Sequence, residues 1–368
     1  MDRGFLQTRS ISKSFSGTVA LDDVDFELRQ GEVHALVGEN GAGKSTLIKI
    51  LSGIHRADKG EIYLNGERVE ISDPLTAQRL GIAAIYQEPT VFPELSIAEN
   101  VFMGHHACSR VTRRIDWASM YQKTRGLLHS LDVNLDPRTK LKQLSAAEQQ
   151  LIEIVKALSL DSKILIMDEP TSSLTHKEIQ KLFETIRHLK EQETSIIFIS
   201  HRLEEAFEIA DRITILRDGR YIGTRDISPN LSIEEIIRMM VGRELTEMFP
   251  KKDVKLGSTV LKIEGLSKEG QVYNIGFELR KGEILGFAGL IGAGRTKLAR
   301  LIFGLETPNS GRIYIDGKEV EINNPWTALK HGIAFVPEDR QAQGLVLPMN
   351  ITHNITLPVL DRFSKRSW

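Results

Sequence analysis

Gly38-Glu39-Asn40-Gly41-Ala42-Gly43-Lys44-Ser45-Thr46 fits the pattern G-x-x-x-x-G-K-[ST]. The residues before it, His34-Ala35-Leu36-Val37, read as a buried strand. Those that follow, Thr46-Leu47-Ile48-Lys49-Ile50-Leu51, read as the start of a helix. In that strand–loop–helix context the backbone N–H groups of Gly38 to Thr46 surround phosphate oxygens at a helix N-terminus. Lys44 is placed to reach the β- and γ-phosphates, and the Ser45 hydroxyl to ligate Mg²⁺. The stretch implies a nucleoside-triphosphate site on an α/β fold.

The stretch returns 251 residues later in altered form, as Gly289-Leu290-Ile291-Gly292-Ala293-Gly294-Arg295-Thr296-Lys297. The correspondence is free of gaps. Gly53 maps to Gly304, Gly60 to Gly311, Gly66 to Gly317, Pro74 to Pro325 and Gly81 to Gly332. The strand-like phrase Gly60-Glu61-Ile62-Tyr63-Leu64-Asn65-Gly66 answers to Gly311-Arg312-Ile313-Tyr314-Ile315-Asp316-Gly317. So long a period implies duplicated domains rather than short stacked repeats. The expected division is a first domain over 1–241, a charged linker over 242–258 and the beginning of a second copy over 259–368.

The bulk properties suit such a protein. The chain has 368 residues, of which 41% are hydrophobic and 26% charged, enough for about two cores. A net charge of −1 offers no basic footprint for nucleic acid. Cys108 is the single cysteine, so no internal disulfide forms, which suits a reducing compartment. No apolar run approaches the ~20 residues that span a bilayer, and the N-terminus lacks a signal-peptide pattern. A soluble chain is expected, with any membrane role acting through a partner.

Further along, Ile164-Leu165-Ile166-Met167 is an apolar strand that ends in Asp168-Glu169. A strand end of this kind delivers Asp168 towards Mg²⁺ and leaves Glu169 beside the γ-phosphate, where it would orient or deprotonate the attacking water. Ser195–Ile199 reads as a second buried strand, with a helix over 177–191 between the two. Segment 96–160 is mostly helical in pattern, Ala146–Ser159 most clearly. Continuous apolar strands separated by helices imply a mainly parallel sheet covered on both faces.

These motifs lie in the order found in the ATP-binding-cassette family, which the chain resembles over its whole length. The resemblance implies a P-loop NTPase fold of ATP-binding-cassette type, with a helical subdomain at about 88–160 and an incomplete second copy behind it. It implies that Gln87 senses Mg²⁺, that His201 contacts the γ-phosphate and that Phe15 stacks on adenine. ATP and Mg²⁺ are the expected cofactors. Leu144-Ser145-Ala146-Ala147-Glu148-Gln149-Gln150 stands at the signature position, where members carry Leu-Ser-Gly-Gly-Gln and close it over ATP held by a partner domain. Here Ala146 and Ala147 limit backbone approach to phosphate, and Glu148 adds negative charge, so weakened closure is expected.

In the second copy Arg295 stands where Lys44 does, and Glu338 where Gln87 does. Arginine keeps the charge but not the shape of a phosphate lysine. ATP binding without hydrolysis is therefore expected around Gly289, Gly292, Gly294, Arg295 and Thr296.

Within the family, two cassettes on one chain, with Val336-Pro337-Glu338-Asp339-Arg340 in the second, look like the ATPase subunit of bacterial importers of ribose, galactose, xylose and related small ligands. That implies integral membrane permease subunits and, through them, a periplasmic sugar-binding protein as partners. It also implies a peripheral location on the cytoplasmic face of the cell membrane. Nucleoside and autoinducer importers share these phrases, and a twin-cassette translation factor is the rival outside transport. By the 251-residue offset a second signature, acid pair and histidine would fall beyond Trp368. Slow hydrolysis is expected on that ground, with two copies pairing through their first cassettes, or else a non-hydrolysing remnant. The same ground predicts a marginal C-terminal part.

Overall fold

Val33–Val37 is buried at every position and forms β3, the strand that leads into the glycine-rich loop. A computed structural model describes residues 4–86, 91–108, 114–172, 174–242, 254–290 and 292–362. It separates into two compact units, Met1–Pro250 and Lys251–Trp368.

The strands of the first unit are β1 (Leu6–Phe15), β2 (Thr18–Leu28), β3, β4 (Lys59–Leu64), β5 (Glu67–Val69), β6 (Ile82–Ile85), β7 (Ile164–Asp168), β8 (Ser195–Ile199), β9 (Arg212–Arg217) and β10 (Arg220–Asp226). They build two sheets. A six-stranded one runs β10-β9-β3-β8-β7-β6, parallel except for β10. The other is four-stranded and antiparallel, in the order β2-β1-β4-β5. The sequence pattern pointed to the first sheet; the antiparallel one was not anticipated.

Residues alternate across the parallel sheet with period two. Ile164, Ile166, Ile197 and Ile199 pack with Leu21, Phe26, Leu47 and Ile48, residues of the antiparallel sheet and of α1 (Lys44–Leu51). Leu165, Met167, Ile196 and Phe198 pack instead with the helices: α3 (Ile97–Val101), α4 (Trp117–Ser130), α5 (Ala146–Leu158) and α6 (His176–Glu191). Behind β9 lie α7 (Leu203–Ile209) and α8 (Ile233–Val241), and α2 (Pro74–Arg79) precedes β6. Both faces of the sheet are thus covered, which is why its strands read as unbroken apolar runs. Among the described residues no helix is long and apolar enough to cross a membrane.

One buried polar cluster is stitched into β3. His34 is fully buried, with Nδ1 3.1 Å from Glu32 Oε1 and Nε2 2.7 Å from Thr214 Oγ1. Burial holds the imidazole below its ordinary pKa, against the hydrogen bond and charge of Glu32. An unfolded chain takes up a proton at this histidine below about pH 6.5, whereas the folded one resists until lower pH. Stability is therefore intact above that value and falls as pH drops through it. Glu32 acts in a separate window. Burial opposes its ionisation, but His34, the Arg29 amide and Arg212 outweigh burial and lower its pKa below 4.5. We expect the melting temperature of the first unit to fall between about pH 7.5 and about pH 5.5, and His34→Gln to flatten that slope in a thermal-melt series.

The second unit repeats the front of the first. Strands β11 (Thr259–Lys268), β12 (Val272–Arg280), β13 (Ser310–Ile315) and β14 (Lys318–Val320) form an antiparallel sheet in the order β12-β11-β13-β14, the counterpart of β2-β1-β4-β5. Helices α9 (Arg295–Ile302) and α10 (Pro325–Lys330) correspond to α1 and α2, and a short α11 (Ile351–Thr356) follows. Even the caps recur. Asp73 Oδ1 accepts from the Thr76 amide at 2.9 Å, and Asn324 Oδ1 from the Thr327 amide at 3.0 Å. Gly53 and Gly304 pass these caps at φ 78° and 74°, and a Cβ on either would strike the capping backbone.

The strand pattern the repeat carries into the rest of this unit is not realised. Positions 284–288 and 333–336, the counterparts of β3 and β6, form no strand among the described residues. Ile284 and Val336 are 99% and 91% exposed. In the first unit β3 is hydrogen-bonded between β8 and β9, and β6 lies on β7. Without such neighbours an extended apolar segment has no ladder to join.

Candidate functional site

Three parallel strands end side by side at one rim of the six-stranded sheet, and each delivers part of a site. Where β3 ends, the chain turns through Gly38 to Gly43 into α1. Gly41 and Gly43 take φ values of 88° and 100°, a left-handed conformation that glycine adopts without steric cost. Gly43 has a second reason to lack a side chain: a Cβ there would lie 2.6 Å from Leu21 and 2.7 Å from the Ala20 carbonyl. The hairpin partner β2 is therefore part of the wall behind the loop, which the sequence reading did not foresee.

Glu39, Asn40 and Gly41 at the crest of the loop are exposed, whereas Ala42 and Lys44 are buried. Lys44 Nζ donates to the carbonyls of Gly38 (2.7 Å) and Glu39 (3.0 Å), so its ammonium is curled under its own loop. Ser45 is exposed and Thr46 half-buried on the first turn of α1.

At the end of β7 stand Asp168 and Glu169. Burial pushes the Asp168 carboxyl above its usual pKa, and the charge of Glu169 adds to the effect while Lys44 opposes it. Burial pulls the Lys44 ammonium below its usual value, and Glu169 and Asp168 pull it back. These three groups therefore lie within one another's fields. Glu169 has a φ of 49°, in the left-handed region that costs a non-glycine residue about 1–3 kcal/mol. Its amide donates to the Ile199 carbonyl of β8 at 3.0 Å, which holds the bend.

After β8 comes His201, half exposed, with Nδ1 3.3 Å from Glu169 Oε2. The structure thus brings Lys44, Asp168, Glu169 and His201 together from positions far apart in the chain. Gln87 lies outside the described residues. Phe15 stands at the tip of the β1–β2 hairpin, 39% exposed, edge-on to His55 at 5.0 Å with Lys13 Nζ 5.4 Å from the ring centre.

The signature residues lie at the N-terminus of α5. Ser145 Oγ accepts from the Glu148 amide, and the Glu148 carboxylate accepts from the Ser145 amide (2.8 Å) and hydroxyl (3.0 Å), a reciprocal capping box. Nothing in the sequence reading had assigned Glu148 this structural role. Ala146 is the first residue of α5, and Ala147 is half-buried. In the second unit, Gly292 and Gly294 repeat the left-handed turn, each at φ 86°, and α9 starts at Arg295. Unlike Lys44, Arg295 is exposed, as is Thr296; Gly289 precedes them in irregular chain.

The residues fit a magnesium–nucleotide complex. Among the described residues no cluster of three or more His, Cys, Asp or Glu could hold a metal alone. Mg²⁺ is usually bound by one or two protein ligands and substrate phosphates rather than by such a cage. Burial and the Glu169 charge disfavour the Asp168 carboxylate, a penalty that a cation beside it would offset, and the Ser45 hydroxyl is exposed.

Known proteins point the same way. The family model for ABC transporters matches residues 21–172 and 272–354. The chain is 47% identical over 364 residues to the ribose import ATP-binding protein RbsA 1 of Rubrobacter xylanophilus, a match covering 98% of this chain and 72% of that protein. It is 48% identical over 357 residues to a putative ribose/galactose/methyl galactoside import ATP-binding protein of Burkholderia cenocepacia, covering 97% and 68%. A solved nucleotide-free ATP-binding cassette from an ABC transporter superimposes with a TM-score of 0.57 at 25% identity, over 65% of this chain and 95% of that one. A cassette in its ADP conformation gives 0.56 at 25% identity, over 65% and 99%. With its phosphate loop, acid pair and histidine gathered at one sheet rim and its relatives matching nearly the whole chain, the protein belongs to the ABC transporter family as an ATP-binding-cassette ATPase.

Proposed function

We propose that the chain energises import of a monosaccharide or a related small ligand, by binding and hydrolysing ATP on the cytoplasmic side of a membrane permease served by a periplasmic sugar-binding protein. The observation that carries this reading is near-complete alignment with proteins named as ribose and galactose import ATP-binding proteins. Disrupting the gene should abolish uptake of radiolabelled ribose or galactose, and the chain should co-purify with a polytopic membrane protein. Unchanged uptake of every sugar tested, with the chain recovered on ribosomes, would overturn the reading.

In this account the first unit is the working site. Backbone amides from Gly38 to Thr46 cradle the β- and γ-phosphates, Lys44 swings from its own carbonyls onto them, and Phe15 stacks on the adenine. Ser45 and Asp168 would hold Mg²⁺, which would neutralise phosphate charge, and Gln87 would sense it. Glu169 orients and deprotonates the attacking water, which requires its carboxylate form, and His201 holds the γ-phosphate and Glu169 in register. The second unit, with an exposed Arg295 and with Glu338 at the Gln87 position, binds nucleotide without turning it over.

The signature of the first unit, Ser145 to Glu148, closes over ATP held by a partner cassette, and the pairing of two first cassettes is one way to supply it. Glu148 opposes that closure twice: its carboxylate occupies the Ser145 hydroxyl, and its charge faces phosphate. Glu148→Gln keeps an acceptor for the Ser145 amide and removes the charge. At about 1 kcal/mol for one screened charge pair, steady-state ATP turnover should rise roughly fivefold. A rate that stays level or falls would contradict the assignment.

A further inference from the structure

Two loops carry the groups that surround the γ-phosphate in this account: the turn after β7, with Asp168 and Glu169, and the turn after β8, with His201. Both are tied to one side chain that the mechanism does not use. Glu205, in the first turn of α7, is 7% exposed. Its Oε2 accepts from the Thr171 hydroxyl at 2.7 Å and from the Ser200 hydroxyl, also at 2.7 Å. Its Oε1 accepts from the Arg202 guanidinium at 3.2 Å. Thr171 and Ser200 are themselves 1% and 2% exposed, and the Ser200 hydroxyl accepts in turn from the Arg202 amide at 2.9 Å.

The tie spans the reacting pair. Thr171 lies two residues beyond Glu169, and Ser200 immediately precedes His201. Among the described residues the Glu169 amide also joins these turns, donating to the Ile199 carbonyl at 3.0 Å. That bond fixes the start of each turn, and Glu205 fixes their far sides. A buried carboxylate is costly unless its oxygens are satisfied, so packing alone does not favour an acid here. An acid in the first turn also suits the helix dipole, but that effect is worth about 0.3–1 kcal/mol and asks for no bond to Thr171.

We propose that Glu205 is a positioning residue for ATP hydrolysis, clamping the two turns so that His201 Nδ1 and Glu169 Oε2 stay in contact. The proposal rests on the reading of Glu169 and His201 as the hydrolytic pair. Removing the carboxylate frees both hydroxyls, and the turns separate while the phosphate loop is untouched. The rate constant falls and nucleotide affinity holds. Glutamine keeps one carbonyl oxygen for the two hydroxyls, and half-exposed Arg202 turns to solvent, so Glu205→Gln retains most of the function.

The experiment uses the full chain with ring-¹⁵N histidine, the His201 signals being assigned by His201→Asn. Glu205→Ala should move those signals in the direction that Glu169→Ala moves them, and Glu205→Gln should leave them in place. In ATP turnover Glu205→Ala should lower kcat by about tenfold or more with KM within about twofold, and Glu205→Gln should restore kcat to within about threefold. In a His201→Ala background, Glu205→Ala should cost less than about twofold further, since both changes break one unit. A lower melting temperature with unmoved His201 signals and unchanged kcat would overturn the proposal, as would an equal loss of rate with and without His201. If His201→Ala alone leaves turnover intact, the hydrolytic reading fails, and the resonance comparison still judges whether Glu205 places His201. Should Glu205→Ala not fold, Thr171→Val and Ser200→Ala each cut one bond of the clamp and are expected to move the same signals.

Discussion

Replacing Glu169 by Gln should leave Mg²⁺–ATP binding within about threefold of the original and lower turnover by about 100- to 10,000-fold, the usual worth of a positioned general base. The substitution removes one negative charge and retains size and hydrogen-bonding reach, and the strained bend at φ 49° is held by the backbone bond to Ile199, which does not depend on the side chain. Loss of a charge beside Asp168 should also ease the ionisation of that residue, since Glu169 is among the causes of its raised pKa. Binding is then expected to hold or improve as turnover collapses. Rapid-quench turnover and equilibrium nucleotide binding, run on the same preparation, check both halves. A parallel fall in binding and rate would mean that Glu169 holds the nucleotide rather than activating water.

Lys44→Ala should act on binding itself. In the structure the ammonium is buried and donates to two carbonyls of its own loop. On the proposed function it exchanges those bonds, with ATP present, for charge-assisted ones to the β- and γ-phosphates, each worth about 1.5–3 kcal/mol. Two such bonds lost together amount to a weakening of about 100-fold or more. The variant also leaves Gly38 and Glu39 carbonyls without their donor, so a small loss of stability should accompany the loss of affinity. Titration of a fluorescent ATP analogue measures the first effect and a thermal melt the second. Arg295→Ala, which changes an exposed side chain in the second unit, should leave the affinity of the first-unit site and the melt of the first unit within about twofold.

Much of the first unit was legible because its motifs are local. Gly41 and Gly43 declare a left-handed turn, Lys44 and Ser45 follow at fixed spacing, and an apolar run ending in Asp168-Glu169 declares a strand end. Buried parallel strands such as Ile164–Asp168 and Ser195–Ile199 are unbroken apolar stretches, and they read as such. The antiparallel sheet was harder to see. β1 mixes buried and exposed residues without a steady period, because register shifts at Thr8/Ile11 and Ile11/Lys13 break the alternation. Long-range ties are invisible in principle to a reading by spacing. Leu21 behind Gly43, Thr214 on His34 and Glu205 between Thr171 and Ser200 are brought together only by the fold. In the second unit Ile284 and Val336 stand where the repeat puts β3 and β6, but composition does not supply the neighbouring strand that a ladder requires.

Steady-state phosphate release from ATP, compared among the original chain, Glu169→Gln and Arg295→Ala at saturating Mg²⁺–ATP, tests most directly the claim that hydrolysis belongs to the first unit. The account predicts that Glu169→Gln abolishes release and that Arg295→Ala leaves it unchanged. Release that survives Glu169→Gln but is lost with Arg295→Ala would place the chemistry in the second unit and contradict the account.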